Sequence, residues 1–401
     1  MDNDDIQIIE AKTRKDIKRF VRFQNELYKG NAFFVPALES DELKFFSPKN
    51  PSWNEVEVKA FLAIRGGEVV GRIATIIQKT YNELHNCKNV RFTRFDIIDD
   101  CRVATALLDA AVNFARERGM QAVHGPLGFN DLDKEGVLVE GFDKMGTWAN
   151  FYNYAYYKKH LEDAGFTKEV DWFEFVVPMP KGLDPRMVKV AEHMMGRLEL
   201  KVVPRKMSKA GVLKRYGKRI FDVINENYAG LHGVIPITDA VRDGILKQFK
   251  TIIRREHVTI VVDKNDKIVG FGLASPNLSR SLNASRGRLL NFGFLPLNAL
   301  RIMREARRPK NVDLCLIAVV PEYRNRGVNA IIIHETFKNL LNAKRKIGFL
   351  ETNLQMETNT AVQAQLEGFN RQLIKKRRCY KKVLEVPEPE SLDVESVPEV
   401  V

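Results

Sequence analysis

Residues 313–337 read DLCLIAVVPEYRNRGVNAIIIHETF, and the order of their parts decides the fold. A continuous apolar run to Val320 is a strand, Pro321 ends it, and the apolar spacing after Gly327 is that of a helix. So short a turn between strand and helix leaves successive backbone N–H groups unpaired at the positive end of the helix dipole, where phosphate oxygens bind well. Gly327 lets the backbone come close, and Arg324 and Arg326 add positive charge. The segment predicts a phosphate-binding loop in an α/β fold. A solvated basic helix start is the plainer alternative.

Outward from this loop the chain repeats itself. Residues 61–77 and 258–274 are two strand-turn-strand patterns, with Val70-Gly71 and Val269-Gly270 opening the second strand of each. Helix-to-strand boundaries at Gly165-Phe166 and Gly368-Phe369 echo one another at a similar offset, so a duplicated unit of about 200 residues is expected. Each half then has a long amphipathic helix, from Val103 to Glu117 and from Val328 to Lys344. A further helix and a closing strand follow, Val170 to Val177 in the first half and Arg377 to Val383 in the second. The expected fold is α/β (α+β mixed sheet). Pro178, Pro180 and Gly182 mark the join, which divides the chain into domains 1–184 and 185–384. Residues 385–401, with six acids and no base, are expected to be an acidic mobile tail. Setting Val103 against Val328 places Asp99-Asp100-Cys101-Arg102 opposite Arg324-Asn325-Arg326-Gly327. The first loop thus has carboxylates and no glycine, and reads as a degenerate copy whose acids satisfy the helix dipole themselves.

Composition narrows the classes of function. With 44% hydrophobic and 29% charged residues, the 401-residue chain is neither disordered nor fibrous. Its net charge of +13 understates a body that is more basic still without the tail, and such a body attracts polyanions. The start has no signal-peptide pattern and no stretch is apolar enough to span a membrane, so a cytoplasmic protein is expected. Four scattered cysteines and seven histidines without HxxxH or HExxH spacing predict neither a disulfide nor a metal site.

The turn Arg324-Asn325-Arg326-Gly327-Val328-Asn329 resembles the signature of the GNAT superfamily of acyl-CoA-dependent N-acyltransferases, a Gln/Arg-x-x-Gly-x-Gly/Ala loop that grips the coenzyme A pyrophosphate. Asn329 stands where Gly or Ala is usual, and Ala330 follows one place late. Across residues 1–384 the segment order also resembles bacterial tandem-GNAT proteins of unassigned substrate. GPLGFN (125–130), EGFD (140–143) and YYKKHLEDAGF (156–166) carry that likeness in the first half. The resemblance implies two tandem GNAT-like domains, each a mixed central sheet flanked by helices, with the second binding acetyl-CoA or another acyl-CoA and passing the acyl group to a small-molecule or peptide amine. It places Ala318, Val319 and Val320 against the thioester carbonyl, and Asn359 either as a helix cap or on the pantetheine arm. Glu351 and Glu357 are candidate bases, or equally surface acids. The family's usual tyrosine position holds Ala364, leaving Tyr380 as the substitute acid.

Two clusters stay open at this point. FYNYAYY (151–157) lines an acceptor pocket or packs in the core, and the basic residues from Lys375 to Lys382 form a nucleic-acid patch or the solvated face of a strand. Two rival functions follow: a tandem-GNAT transferase that takes an amino acid from tRNA, and a catalytically silent acyl-CoA-binding protein. Nucleic acid is the less favoured partner because the pyrophosphate loop is intact.

Overall fold

The computed structural model describes residues 4–252, 254–291 and 294–385; the expected tail beyond Glu385 lies outside them. The first half contributes β1 (Gln7–Glu10), β2 (Val56–Arg65), β3 (Glu68–Gln78), β4 (Asn89–Ile97), β5 (Ala122–Gly125), β6 (Val137–Glu140) and β7 (Thr167–Pro178). The second contributes β8 (Lys201–Val202), β9 (Val258–Val262), β10 (Ile268–Pro276), β11 (Val312–Val319), β12 (Phe349–Thr352), β13 (Gln355–Met356) and β14 (Gln372–Val383). All join one mixed sheet of order β1-β2-β3-β4-β5-β14-β7-β12-β11-β10-β9-β8, with β6 on β14 and β13 on β7. The α/β expectation holds.

Each hairpin turns where its sequence allows positive φ, at Gly66 and Gly67 in β2–β3 and at Asp266 in β9–β10. The repeated Val-Gly has a packing reason. A Cβ on Gly71 would lie 2.7 Å from Leu107 Cδ1, and one on Gly270 would lie 2.9 Å from Ile332 Cδ1. In each half this glycine lets the following helix, Cys101–Glu117 or Val328–Leu341, sit down on the sheet. Leu107, Leu108, Ala111 and Phe114 of the first helix and Ile331 and Ile332 of the second are buried beneath it.

The closing strands end in an arrangement that the repeat pattern did not predict. β14 lies antiparallel between β5 and β7 in the first half, while β7 pairs with β12 of the second, Leu350 opposite Val177. Each half therefore donates its last strand across the join. Charge fixes the contact between the two donated strands. Arg377 and Lys375 both reach Glu174, and Arg378 and Lys376 both reach Asp171. Lys375, Arg377 and Glu174 are almost fully buried, so two of the basic residues in the run from Lys375 to Lys382 belong to the interior and the run is not a simple solvated face. Its alternate residues form an internal ion-pair network, in which removal of one partner costs about 3–5 kcal/mol. No helix among the described residues is long and apolar enough to cross a membrane.

Candidate active site

β11 and β12 run parallel but pair only over Val312–Leu314, after which Asn353 N–H closes onto Leu314 O at 2.9 Å and β12 turns away. From Cys315 to Val319, β11 is bonded on one side only, to β10. The resulting wedge opens on a cavity of 1550 Å³ with a mostly apolar wall, and Ala318 and Val319 line it. Tyr228 Oη donates to Ile317 O across 3.1 Å from this side. Since N–H and C=O of alternate strand residues point the same way, Val319 N–H faces the wedge as well. Val320 turns inward and its N–H bonds Val269 O at 2.9 Å.

The turn after β11 has the anticipated form. Asn325 (φ +58°) and Gly327 (φ +79°) are left-handed, and Gly327 caps the helix Val328–Leu341 without a side-chain cap. Among the described residues the N–H groups of Asn325, Arg326, Gly327, Val328 and Asn329 reach no backbone acceptor. Arg324, Asn325 and Arg326 are exposed, with Arg324 donating to Asn227 Oδ1 at 2.9 Å. Arg324, Asn325 and Asn329 also line the cavity, while Val328 is buried in the core and Ala330 begins the helix ladder by bonding Gly327 O. A run of free N–H donors beside two guanidinium groups suits a diphosphate. Across the cavity, Asn359 Oδ1 accepts from Val362 N at 3.3 Å and so caps the helix Thr360–Ala364, the first of its two expected roles, and Asn359 also lines the wall.

The three side chains expected to handle protons are elsewhere. Glu351 is buried against Lys375 in the ion-pair network, and burial holds its carboxyl above the ordinary range. Glu357 ties strands together, accepting from Asp171 N at 3.0 Å and Lys168 Nζ at 2.7 Å. Tyr380 is fully buried in the first half's core, where its hydroxyl donates to Glu162 at 3.2 Å. None of the three lines the cavity. The polar groups that do include Asp131, Glu135, Tyr228 and Asp313. Burial raises the Asp131 carboxyl to about 6, and Oδ1 has no hydrogen-bond partner among the described residues. Burial, and then the neighbouring Asp131, pushes Glu135 well above the carboxylate range. Asp313 is raised by burial and by Glu351, with Asn277 Nδ2 on Oδ1 at 2.7 Å. The signal for Asp131 and Glu135 was an acidic run, NDLDKE (130–135), in the segment that joins β5 to β6; nothing local tied it to a strand of the other half.

The matching place in the first half is closed. Asp100 caps the helix Cys101–Glu117 by accepting from Arg102 N at 2.9 Å, and it also pairs with Arg65 at 2.7 Å. β4 and β5 likewise separate after Arg91 and His124, but tyrosines fill the gap. Tyr157 Oη lies 2.7 Å from Tyr28 Oη and accepts from Ile97 N at 3.0 Å, and Tyr156 Oη donates to Ile97 O at 2.7 Å. The space left beside Asp96 and Tyr157 is 10 Å³. The aromatic run 151–157 is thus core packing.

No family model matches the chain. Protein YghO of Escherichia coli (strain K12) is 25% identical over 379 residues, 92% of this chain and 93% of that protein. A bacterial ceramide synthase of Caulobacter vibrioides is 27% identical over 301 residues, 74% of this chain and 76% of that one. Among solved structures, a tandem GNAT protein from the clavulanic acid biosynthesis pathway superposes with a TM-score of 0.53 at 10% identity, covering 94% of this chain and 98% of that one. A GCN5-related N-acetyltransferase from Sphaerobacter thermophilus gives 0.51 at 11% identity, covering 96% of both chains. With its duplicated hairpins, parallel wedge and glycine-capped helix, the chain has the fold of the tandem GNAT proteins.

Proposed function

We propose that the chain is an acyl-CoA-dependent N-acyltransferase that holds its coenzyme in the second half. One observation carries this reading: Asn325 and Asn329, at the two ends of the free N–H run, and the one-sided edge of β11 line the same cavity. Asn325 to Asn329 would hold the diphosphate, with Arg324 and Arg326 as countercharges. When bound, acyl-CoA supplies the thioester. Val319 N–H is aimed to polarise its carbonyl. Asp131 takes the proton of the attacking ammonium, since a carboxyl raised to about 6 is ionised at neutral pH and still a stronger base than an ordinary aspartate. Tyr228, whose phenol burial keeps protonated, is the hydroxyl available to the departing thiolate.

The acceptor is an amine, and the cavity favours a long-chain one. Its 1550 Å³ exceeds the roughly 300–1,000 Å³ of ordinary ligand pockets, and its wall is mostly apolar. The relative from Caulobacter is named for a ceramide, which is an amide of a fatty acid and a long-chain amino alcohol. The test has two stages. Coenzyme A is expected to raise the melting temperature of the parent and not of Gly327→Glu; no shift in the parent would defeat the proposal. Thiol release from acetyl- and palmitoyl-CoA across polar and long-chain amines is then expected to be fastest with the long-chain pairs.

A further inference from the structure

Four side chains of metal-ligating type from four separate segments meet beside the cavity, whose wall His232 joins: His124 on β5, Glu169 on β7, Cys379 on β14, and His232 in the connection between the helices Lys209–Tyr228 and Asp239–Ile252. Their ligand atoms all lie within 4.8 Å of one another. Glu169 Oε2 is 3.0 Å from His124 Nδ1, 3.3 Å from His232 Nε2 and 3.3 Å from Cys379 Sγ. Tetrahedral zinc has bonds of about 2.0–2.3 Å, which puts neighbouring ligand atoms roughly 3.3–3.8 Å apart, and these separations are close to that edge length. His232 Nε2 faces the carboxylate at this distance, is fully covered, and has no hydrogen-bond partner among the described residues.

We infer that His124, Glu169, His232 and Cys379 form a structural site for zinc or a similar divalent ion, which pins the exchanged strand β14 to both halves. The donor set of two imidazoles, a thiolate and a carboxylate is one that zinc takes, and four protein ligands leave no open position. The surroundings leave the site available. Lys381 Nζ occupies the other carboxylate oxygen of Glu169 at 3.4 Å, and Arg91 is engaged by the carbonyls of Gly128, Phe129 and Gly233. His124 and Cys379 are fully buried, so the ion would be shielded from solvent on the sheet side. Binding displaces the Cys379 thiol proton to solvent, and thiolate plus carboxylate then balance the two charges of the ion. Burial, and then the neighbouring Glu169 carboxylate, push that thiol up, so the empty site keeps it protonated. The histidine and cysteine spacings carry no metal motif because the four ligands are gathered by strand exchange rather than by one loop.

The test is the metal content of the full chain, purified without chelator and again after apo-protein is reloaded with zinc or cobalt. About one ion per chain is expected, with a thiolate-to-cobalt charge-transfer band in the cobalt form. Cys101→Ser, at an exposed cysteine, is expected to keep both. Cys379→Ser is expected to lose the band, and His232→Ala to bind much more weakly. Reloaded parent protein with no stoichiometric ion would overturn the site, as would a cobalt band that survives in Cys379→Ser. Should Cys379→Ser fail to fold, His232→Ala decides, since parent-like metal retention there overturns the assignment. Coenzyme A binding does not enter these measurements.

Discussion

The two helix starts, at Asp100 and at Gly327, occupy the same place in two copies of one unit and have opposite chemistry. In the first half a carboxylate caps the helix, Arg65 and Arg102 neutralise it, and tyrosines fill the gap between the parallel strands. In the second half a left-handed glycine leaves the N–H donors free, and the gap stays open on 1550 Å³ instead of 10 Å³. On the proposed function, a ligand slot in this fold is an unfilled wedge. The same geometry becomes core once side chains satisfy its donors and occupy its volume. The closed half still serves the open one, because its segment between β5 and β6 supplies Asp131 and Glu135 to the shared wall.

That contribution gives the largest expected effect. Asp131→Asn should lower kcat about 10²–10⁴-fold while leaving coenzyme-induced stabilisation intact; parent-like turnover would mean the first half is only a wall. In the parent, log kcat should be flat above about pH 6 and fall below it as Asp131 protonates. The stability sign is opposite to that of a paired carboxylate. The folded chain holds this proton between the ordinary 3.8 and about 6, so the contribution of Asp131 to stability falls as pH rises through that window. Asp131→Asn should flatten the corresponding part of a melting-temperature profile.

Next in size, Gly327→Glu should abolish the coenzyme A shift, because it adds a like charge and a side chain at φ +79°, where a Cβ would lie 2.9 Å from Met194 Cγ. Its mirror, Asp100→Ala, should leave that shift unchanged and cost about 0.5–2 kcal/mol of stability through the lost cap. Equal effects on binding from both would mean that the two helix starts do not differ in coenzyme binding. Tyr157→Phe should destabilise by about 1–3 kcal/mol, since Ile97 N–H and Tyr28 Oη lose a buried partner; denaturant melts measure this. The smallest change is Arg326→Ala, an exposed countercharge whose loss should weaken coenzyme binding several-fold, and less at high salt.

Much of the open half was legible in the sequence. Strand, proline, basic turn and glycine are consecutive, so their chemistry is local, and Ala318, Val319, Arg324, Asn325, Asn329 and Asn359 do meet on one cavity. Proton handling was not legible. Glu351 and Glu357 are near that loop in sequence, yet Lys375 and Lys168 from exchanged or adjacent strands draw both into ion pairs. A basic run such as Lys375 to Arg378 looks solvated in one dimension, and only its partners Glu174 and Asp171, some two hundred residues earlier, make it interior. The second Gly-Phe boundary shows the same limit on a small scale. Gly165 is left-handed, but in the second half Asn370 takes that conformation in place of Gly368.

By itself the sequence determined the duplication, the α/β class and the one loop suited to a diphosphate, because hydrophobic period, turn residues and a helix start act over a few neighbouring positions. Tertiary structure alone decided which wedge stays open, which acids face it, and how His124, Glu169, His232 and Cys379 come together. The physical reason is the exchange of β7 and β14: pairing across the join sets the register between residues far apart in the chain, and burial there changes what each charged group can do.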